Sequence, residues 1–474
     1  MFLLRSNGVF PPSARASAES SCAHEDCGST RIEDRRRFLT ACAAALAGSA
    51  TGHLRAEDQP PQENAGLAIE IDVDHGQLLQ SELDALAGTG TLVRLKSPRD
   101  IVCMVQEQLV DGEKSIHPLL IPSGVHLDLQ GSTLLLDCRS NSYGVRLSNS
   151  SSIRNGLIRV VRSEGKGSQA CWHSGISVGA AYGDGGTPDQ PGRFSTVRDW
   201  SIENITIDQP FAAAGIQLMS EACHGVIRDV KILDSPMALM GVGMDWGAVG
   251  SMTSEDAQLA QMRELWEAGK IYTTHPHDVL VENLEVGRLT RNVDANDVGV
   301  RCSACHNITI RNVRVTEAAG AIAIFGGDLG YEFGREDQRQ FQHTGYRIEN
   351  VSIERALIMG LALNGSADNI YRASRNLGYR PVRDPVHPGI DRPVIRNLRL
   401  RGGGDRQNRQ GVYATSLTDG DLENLSIEGF DIGVHVEDWI SGMRFRNVRF
   451  ADNRRDSQIE GATEPATDVV FEPV

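Results

Sequence analysis

The sequence predicts an all-β protein that winds into a single-stranded parallel β-helix, and three observations lead to this fold class. One short strand pattern recurs along most of the chain, and an Asn or Asp stands at the centre of each copy. Glycine is abundant, with 49 residues in 474, whereas aromatic residues make up only 5%. This composition suits many tight turns and small inward-facing side chains better than a bundle of helices.

The recurring pattern is apolar-x-apolar-x-Asn-apolar-x-apolar, and it is clearest in WSIENITI (200–207), VLVENLEV (279–286) and ITIRNVRV (308–315). Each half alternates as a strand with one apolar face does. The central residue has to bend the chain, and Asn or Asp tolerates the left-handed backbone conformation that such a bend needs. The bend positions are Asn155, Asn204, Asp229, Asn283, Asn312, Asn350, Asn397, Asn424 and Asn447.

A second strand of glycine and alternating apolar residues follows most copies, for example GVGM (241–244) and GVRC (299–302). Strands that recur in this way stack in parallel on their own copies, about 4.8 Å apart, as a solenoid. An antiparallel sandwich, the competing interpretation, would need the same bend residue to arise independently in every copy. Long insertions follow the second strand at one corner. They span 245–278, 325–345 and 364–392, with a fourth near 163–197.

The N-terminal residues indicate a leader followed by a cap. Arg35-Arg36-Arg37-Phe38-Leu39 precedes a short apolar run and resembles a twin-arginine export signal. Further on, QLLQSELDALAG (77–88) has helical apolar spacing and closes on glycine. We therefore divide the chain into a signal and leader (1–56), an N-terminal cap region with this helix (57–117), the β-helix (118–452) and a polar tail (453–474).

Charge and hydropathy narrow the range of partners. The formal net charge of −15 argues against wrapping a nucleic acid. No stretch is long and apolar enough for a membrane anchor. We expect a protein that the twin-arginine export machinery carries to the periplasm or the extracellular space.

The first predicted coils carry a family resemblance. After TLVRL (91–95) comes PLLIPSGVHLDLQGSTLLLD (118–137), and together they resemble the start of the pectin-lyase-like right-handed parallel β-helices, the polygalacturonases in particular. The resemblance covers most of residues 65–452. It implies the right-handed fold and, for function, a carbohydrate-active protein, although this fold hosts several activities.

The catalytic residues of polygalacturonases are mostly missing. NVDANDVG (292–299) is similar to that family's Asn-Thr-Asp-x-x-Asp segment, and Asp297 falls on its catalytic aspartate. Hydrolysis by that family uses clustered carboxylates as acid and base. The positions expected to hold a pair of aspartates, a His and an Arg-Ile-Lys segment are here Ala319-Gly320, Met359 and Tyr413-Ala414-Thr415. A single carboxylate cannot fill both roles, so ordinary pectin hydrolysis is not supported.

One predicted row of outward positions surrounds a lone arginine. Lyases on this fold commonly use an Arg or Lys as base, with calcium on nearby carboxylates that neutralises a uronate. The resemblance therefore implies catalytic roles for Arg301 with Asp245, Asp297 and Asp328, and calcium as a cofactor. The alternative is that Arg301 pairs with Asp297 to hold a corner. The row reads Gln217, Gly243, Arg301, Ala323, Ala362, Tyr413 and His435.

A histidine at the end of one insertion is a further catalytic candidate. Pro276-His277-Asp278 resembles part of the Asp-Pro-His-Asp/Glu signature of alginate epimerases, in which a His and a Tyr exchange the sugar proton. The signature's first Asp is replaced by His275. The alternative is that His277 is a corner residue comparable to His224 and His306.

Aromatic side chains at the predicted site are candidate sugar-binding residues, because aromatic faces suit sugar rings. Covering the apolar surface of a loop is the alternative use of such residues. The candidates are Trp246, Tyr272, Tyr331 and Tyr413.

A C-x-x-C-H motif, Cys302-Ser-Ala-Cys305-His306, has the spacing that attaches a c-type haem. Ala-Cys-His also occurs at 222–224, so the tripeptide recurs at this corner of the repeat. Cys302 is the last apolar position of GVRC and is predicted to point inward. We expect no haem here and interpret these cysteines as small buried residues.

Two hypotheses about function remain open. In the first, the protein is an exported enzyme that acts on a polysaccharide in a groove walled by the insertions, with chemistry closer to a lyase than to a polygalacturonase. In the second, it is a non-catalytic β-helix that binds glycan or builds a surface structure. The missing polygalacturonase residues favour the second hypothesis, whereas the insertions and the acidic residues at their bases favour the first.

Overall fold

A computed structural model describes residues 67–110, 113–138, 144–163, 174–179, 196–209, 214–236, 238–245, 268, 275–289, 297–303, 305–325, 343–365, 390–404, 407–437, 440–460 and 469–472. The predicted export signal lies outside these residues. Among them, no helix combines the length and apolar character needed to cross a membrane.

The described chain forms three parallel sheets, which confirms the predicted parallel β-helix. The largest sheet contains β1 (Ala68–Ile71), β2 (Thr91–Leu95), β3 (Asp100–Met104), β7 (Val125–Asp128), β8 (Thr133–Cys138), β10 (Ser152–Ser163), β12 (Thr196–Arg198), β13 (Ser201–Asp208), β15 (Glu221–Ile232), β17 (His277–Arg288), β19 (His306–Ala318), β22 (Arg347–Ala356), β25 (Val394–Gly402), β28 (Asp421–Glu428), β31 (Arg444–Ala451) and β33 (Val470–Glu472). We call it sheet A.

The second sheet, sheet C, runs alongside sheet A in the coil order. It contains β6 (Leu119–Ile121), β9 (Val145–Leu147), β11 (Ser174–Val178), β14 (Ala214–Met219), β16 (Met240–Asp245), β18 (Val298–Ser303), β20 (Gly320–Phe325), β23 (Met359–Asn364), β26 (Gln410–Thr415), β29 (Ile432–Val436) and β32 (Arg455–Ile459). β32 and β33 fall within the range that the sequence assigned to a polar tail.

Smaller elements complete the description. A sheet of four two-residue strands contains β21 (His343–Thr344), β24 (Ile390–Asp391), β27 (Leu417–Thr418) and β30 (Ile440–Ser441). β4 (Gln106–Val110) and β5 (Glu113–His117) pair antiparallel. The helix α1 occupies Gly76–Asp84, within the region of predicted helical spacing, and buries Leu79 and Leu83 completely.

The bend residues of the repeat behave as predicted. Every one of them has a positive φ, between 50° and 60°, which is the left-handed region that Asn and Asp tolerate. Their side chains also stack: the amide nitrogen of Asn312 donates to the Asn283 carbonyl oxygen at 3.0 Å, and that of Asn350 donates to Asn312 at 3.0 Å. The same bond repeats through Asn397, Asn424 and Asn447. We call this row the asparagine ladder.

The core is built from aliphatic rows on sheet A. Two residues before each bend, the strand register stacks side chains that are all fully buried. Burying one such side chain stabilises the fold by about 1.5–3 kcal/mol. The row is Ile153, Ile202, Ile227, Val281, Ile310, Ile348, Ile395, Leu422 and Phe445.

The residue before each bend forms a row of strictly alternating charge on the opposite face. Glu282, for example, accepts from Arg228 at 2.9 Å and from Arg311 at 2.6 Å. Burial raises the pKa of Glu282, but these two guanidinium groups outweigh it and hold the pKa below its usual value. This charge ladder runs Glu70, Arg94, Asp128, Arg154, Glu203, Arg228, Glu282, Arg311, Glu349, Arg396, Glu423, Arg446 and Glu472.

The predicted insertions leave the helix at the carboxyl ends of strands in sheet C. β16 ends at Asp245, β20 at Phe325 and β23 at Asn364, and the next described strand residues are separated from these ends by long stretches of sequence. The register of sheet C places these three ends along one edge, with the end of β18 between those of β16 and β20. Most residues of the insertions, and the groove they are predicted to wall, lie outside the described residues.

Candidate functional site

The strand ends of sheet C and the strand starts of sheet A meet at one corner of the coil. β18 ends at Ser303, and β19 begins three residues later at His306. The preceding coil makes the same corner between Asp245 and His277, with an insertion in between. We call this region the insertion corner and define it by Glu221, Cys223, Asp245, His275, His277, Arg301, Ser303 and His306.

Arg301 is held by side chains of three successive coils. Its Nη2 lies 3.5 Å from Oδ2 of Asp245, and its Nε donates to the Ser303 hydroxyl at 3.1 Å. Its guanidinium carbon lies 5.7 Å from the ring centroid of Phe325, within the range of a cation–π contact. Only 13% of the Arg301 side chain and 11% of the Asp245 side chain are exposed. A mostly buried cation therefore stands at the base of two insertions.

The remaining predicted partners of Arg301 are placed differently. Asp297 is fully buried and directly precedes β18, about 13 Å from Arg301 at ~3.3 Å per residue. Arg301 forms an ion pair with Asp245, and the predicted alternative, an Arg301–Asp297 pair, stays a prediction. Asp328 lies outside the described residues.

Of the four aromatic residues predicted to bind sugar, the structure describes only Tyr413. Trp246, Tyr272 and Tyr331 lie outside the described residues, so their sugar-binding role stays a prediction. Tyr413 is half-buried in β26 and belongs to the Arg301 row. Nothing in the described residues places it beside Arg301, because Ala323 and Ala362 stand between them in the register.

His277 lies in a buried polar network. Its Nδ1 is 2.6 Å from a carboxylate oxygen of Asp278, and its Nε2 is 3.5 Å from Oε1 of Glu221. Glu221 is fully buried and also accepts from the Thr196 hydroxyl at 2.6 Å. In the strand register, His277 pairs with Cys223 on one side and with His306 on the other.

These contacts keep the imidazole charged. Burial lowers the pKa of His277, but the hydrogen bond to Asp278 and the nearby Cys223 and Glu221 outweigh it and raise the pKa to about 11. Burial raises the pKa of Asp278, but the hydrogen bond and charge of His277 outweigh it and hold that pKa below its usual value. His277 is therefore an imidazolium at neutral pH, which can donate a proton but cannot accept one.

The sequence compared His277 with both His224 and His306 as corner residues, and the strand register supports only the comparison with His306. His277 is aligned with His306, as expected, but His224 is aligned with Asp278 and Asn307. The reason is the backbone bend: His224, Asp278 and Asn307 all have φ near 50°. The two Ala-Cys-His segments are thus offset by one residue in the coil.

His224, His277 and Asp278 also offer ligand atoms within 4.8 Å of one another. His224 is half exposed, and its Nε2 lies 3.7 Å from Oδ2 of Asp278. The Nδ1 of His277 already carries the proton that it shares with Asp278. A metal ion would have to displace that strongly held proton, so the set fits a hydrogen-bonded network better than a metal centre.

The two cysteines of the C-x-x-C-H motif are both fully buried, as predicted for Cys302. The Sγ of Cys305 lies 3.4 Å from the Ser303 carbonyl oxygen, and the Tyr346 hydroxyl donates to the Cys305 carbonyl at 2.8 Å. Burial, together with Cys302 and Asp245, raises the pKa of the Cys305 thiol well above its usual value. Covalent attachment of a haem would require both thiols to leave this packed interior.

The Arg301 row itself is confirmed by the register of sheet C. It runs Gln217, Gly243, Arg301, Ala323, Ala362, Tyr413 and His435. The sequence predicted that this row faces outward. Ala323 and Ala362 are instead fully buried, and they pack with Val298, Phe325 and Met359.

At the far end of this row lies a second polar cluster. The Tyr413 hydroxyl donates to Oε2 of Glu437 at 2.7 Å, and the rings of Tyr413 and His435 lie 5.8 Å apart. The Nε2 of His435 is 3.7 Å from Glu437 Oε1 and 3.8 Å from Glu460 Oε2. Sequence reasoning placed Tyr413 and His435 in the row but missed both glutamates. The signal that could have found them is their position directly after the strands GVHV and DSQI.

Solved structures that resemble this chain are parallel β-helix proteins of low sequence identity. The A-module of the mannuronan C-5 epimerase AlgE4 of Azotobacter vinelandii is 14% identical, with 84% of this chain and 96% of that chain covered and a TM-score of 0.44. A family 28 exopolygalacturonase of Yersinia enterocolitica is 10% identical, with 86% of this chain and 79% of that chain covered and a TM-score of 0.34. An alginate lyase of Paenibacillus sp. str. FPU-7 is 11% identical, with 85% of this chain and 98% of that chain covered and a TM-score of 0.24.

No protein-family model and no curated protein matches the sequence. The assignment of the fold therefore rests on the strand pairing.

Proposed function

We propose that this protein is an exported enzyme that acts on a uronate-containing polysaccharide at the insertion corner. The reaction would begin with removal of the proton at C5 of a uronate, as in a lyase or an epimerase. The observation that carries the proposal is that the mostly buried Arg301 guanidinium and His277 both lie at this corner, where β16 and β18 end and β17 and β19 begin. Export by the twin-arginine route is part of the proposal and rests on Arg35-Arg36-Arg37-Phe38-Leu39.

Removal of the C5 proton from a uronate requires a positive charge close to the uronate carboxylate. The C5 proton of a uronate lies next to a carboxylate, and it becomes acidic enough to remove only when that negative charge is neutralised. Arg301 is suited to this task because its charge is fixed and Asp245 and Ser303 hold its orientation. Its low exposure means that little water competes with a bound carboxylate.

The protonation state of His277 assigns it a role. An imidazolium with a pKa of about 11 can donate a proton to the intermediate or to the leaving oxygen, but it is not the base. The base has to be another group. Tyr272 stands five residues before His277 in the sequence, and the resemblance to alginate epimerases implies a His with a Tyr, so we propose Tyr272 for this part.

The alternative function is a non-catalytic glycan-binding β-helix. It is favoured by one observation: Ala323 and Ala362 are fully buried, so the row beside Arg301 does not offer an open channel at those two strands. In that case Arg301 and His277 would stabilise the corner and make no contact with a reacting sugar.

The test is a proton-exchange assay on the purified protein. Alginate, pectate and neutral polysaccharides are incubated with it in deuterated water, with calcium or with a chelator. The absorbance of unsaturated uronate reports cleavage by a lyase, and deuterium at C5 without absorbance reports an epimerase. New reducing ends with neither signal would mean hydrolysis and would contradict the proposal.

Two variants locate the site. Arg301→Gln and His277→Gln are each expected to lower turnover by about 100-fold or more, in line with the loss of a positioned acid or an electrostatic group. Arg401→Gln is the matched control, because Arg401 pairs with Glu428 on the exposed face of sheet A. Detectable glycan binding without turnover on any substrate would support the binding module instead.

A further inference from the structure

The cluster at the far end of the Arg301 row has the composition of a metal site. His435 is only 6% exposed, and its Nε2 is buried without a hydrogen bond in the described structure. It faces two carboxylates, Oε1 of Glu437 at 3.7 Å and Oε2 of Glu460 at 3.8 Å. The three atoms lie within 4.8 Å of one another.

The distances suit a shared cation better than direct contacts. They exceed the 3.2 Å limit of an ordinary N–H···O hydrogen bond. Ligands that each stand 2.0–2.2 Å from a tetrahedral zinc ion lie about 3.4 Å from one another. The two distances from His435 exceed this spacing by only a few tenths of an ångström.

Each carboxylate is held in place by a second group. The Tyr413 hydroxyl binds Oε2 of Glu437, which leaves Oε1 turned toward His435. The Gln458 amide binds Oε1 of Glu460, which leaves Oε2 turned toward His435. Partners of this kind orient the ligands in metal sites and raise their affinity. The backbone adds rigidity, because Glu437 N donates to Ala414 O at 2.9 Å and Glu460 N donates to Val436 O at 2.8 Å.

Gln410 sets which ring nitrogen of His435 carries the proton. Its amide nitrogen lies 2.8 Å from Nδ1 of His435. A half-turn of the amide exchanges its nitrogen and oxygen with little change of shape. With the oxygen at this place, Gln410 accepts the Nδ1 proton and the lone pair of Nε2 points between the two carboxylates.

The charge of the cluster also favours a cation. Among the described residues, the ion pairs of Glu437 and Glu460 are with His435 alone, and no arginine or lysine neutralises them. Two carboxylates around one imidazole give the cluster a net negative charge, which attracts a cation.

We propose that His435, Glu437 and Glu460 bind one divalent transition-metal ion, with zinc or manganese as the class that a nitrogen and two carboxylate ligands suit. Calcium is disfavoured because it takes oxygen ligands in larger number. Three protein ligands leave at least one coordination position open beside Tyr413. This inference does not depend on the proposed function.

The experiment measures zinc, manganese and calcium binding by calorimetry after treatment of the full-length protein with chelator. One zinc ion per chain is expected, with calcium at least about 100-fold weaker. Zinc should also raise the unfolding temperature, because an ion that binds only the folded protein stabilises it. Absence of zinc binding, or equal affinity for calcium, would overturn the proposal.

Matched variants assign the site. Glu460→Gln is expected to abolish the thermal shift by zinc, and it should fold because 55% of that side chain is exposed. Tyr413→Phe should weaken zinc binding by about 10-fold, as expected for a group that orients a ligand. His224→Gln, in the other histidine cluster, should bind zinc as the unchanged protein does. Zinc binding that survives Glu460→Gln and disappears in His224→Gln would refute the assignment.

Discussion

The repeat face of sheet A and the insertion corner use similar backbones for different purposes. On the repeat face, the bend position is Asn or Asp in the nine coils from Asn155 to Asn447, and its neighbour alternates between acid and arginine. At the insertion corner, the left-handed position is occupied by His224, Asp278 and Asn307 in successive coils. The repeat face therefore uses the same residue types in coil after coil, whereas the residue type at the insertion corner changes from one coil to the next.

The difference shows where this fold has room for function. A repeated side chain is satisfied by its own copies: each ladder amide bonds to the next, and each ladder charge meets its opposite. A non-repeated side chain needs its own partner, and at the corner these partners are buried charges such as Glu221 and His277. Regular rows therefore mark stability, and irregular rows mark candidate sites.

The largest expected effect separates the two regions directly. Glu221→Gln removes the charge opposite His277 in a fully buried pair and should lower the free energy of unfolding by about 3 kcal/mol. Glu282→Gln, on the repeat face, should cost about 1 kcal/mol because its pairs border solvent. Denaturant unfolding of both variants measures the contrast. Equal losses would mean that the corner is no more specialised than the ladder.

The pH dependence of stability tests the same corner. The pKa of His277 is raised from 6.5 to about 11, so the folded protein holds this proton more tightly than the unfolded chain. Its contribution is complete below about pH 6.5 and is lost as the pH rises toward 11. Unfolding free energies measured from pH 6.5 to 9.5 should therefore fall more steeply for the unchanged protein than for His277→Gln. Parallel curves for the two proteins would rule out a tightly held proton.

The asparagine ladder should respond to the loss of one member. Asn312→Ala removes two side-chain hydrogen bonds and leaves a Cβ in the left-handed region. Together these changes should cost about 2–3 kcal/mol. Asn312→Gly removes the bonds without the strain and should cost less. Thermal and denaturant unfolding of both variants provide the comparison, and a more stable alanine variant would contradict the role of backbone strain.

Reversing one charge tests the alternation of the charge ladder. Glu349→Arg places three arginines in a row, with Arg311 and Arg396 on its two sides. Loss of two attractions and gain of two repulsions should cost about 1–2 kcal/mol, and less at high salt. Glu349→Gln should cost roughly half as much. A reversal with no salt-dependent loss would show that the alternation does not stabilise the sheet.

The smallest expected effect is a gain. Asp229 can accept a bond from Asn283 but has no proton to donate onward to Asn204. Asp229→Asn supplies that donor and should stabilise the protein by about 0.5–1 kcal/mol. Differential scanning calorimetry measures the shift. A loss of stability would mean that the carboxylate at this position has a partner of its own to satisfy.

The repeat face could be predicted almost completely from the sequence, because each copy of its pattern consists of residues that are consecutive in the chain. The bend positions, their left-handed backbone and the stacking of Asn312 on Asn283 follow from local conformational preference and strand alternation. The charge ladder was also within reach, because the residue before each bend alternates between Glu and Arg in the sequence. The order of the Arg301 row followed from counting coils.

The sequence by itself determined the parallel β-helix, its bends and the corner from which the insertions leave, because these depend on short-range patterns repeated many times. Only the tertiary structure decided which side chains meet across coils. The pair of Arg301 with Asp245, the burial of Asp297 and the enclosure of His435 by two glutamates join residues far apart in the chain. Such contacts depend on register and side-chain direction to within an ångström, and a repeat pattern carries no information at that scale.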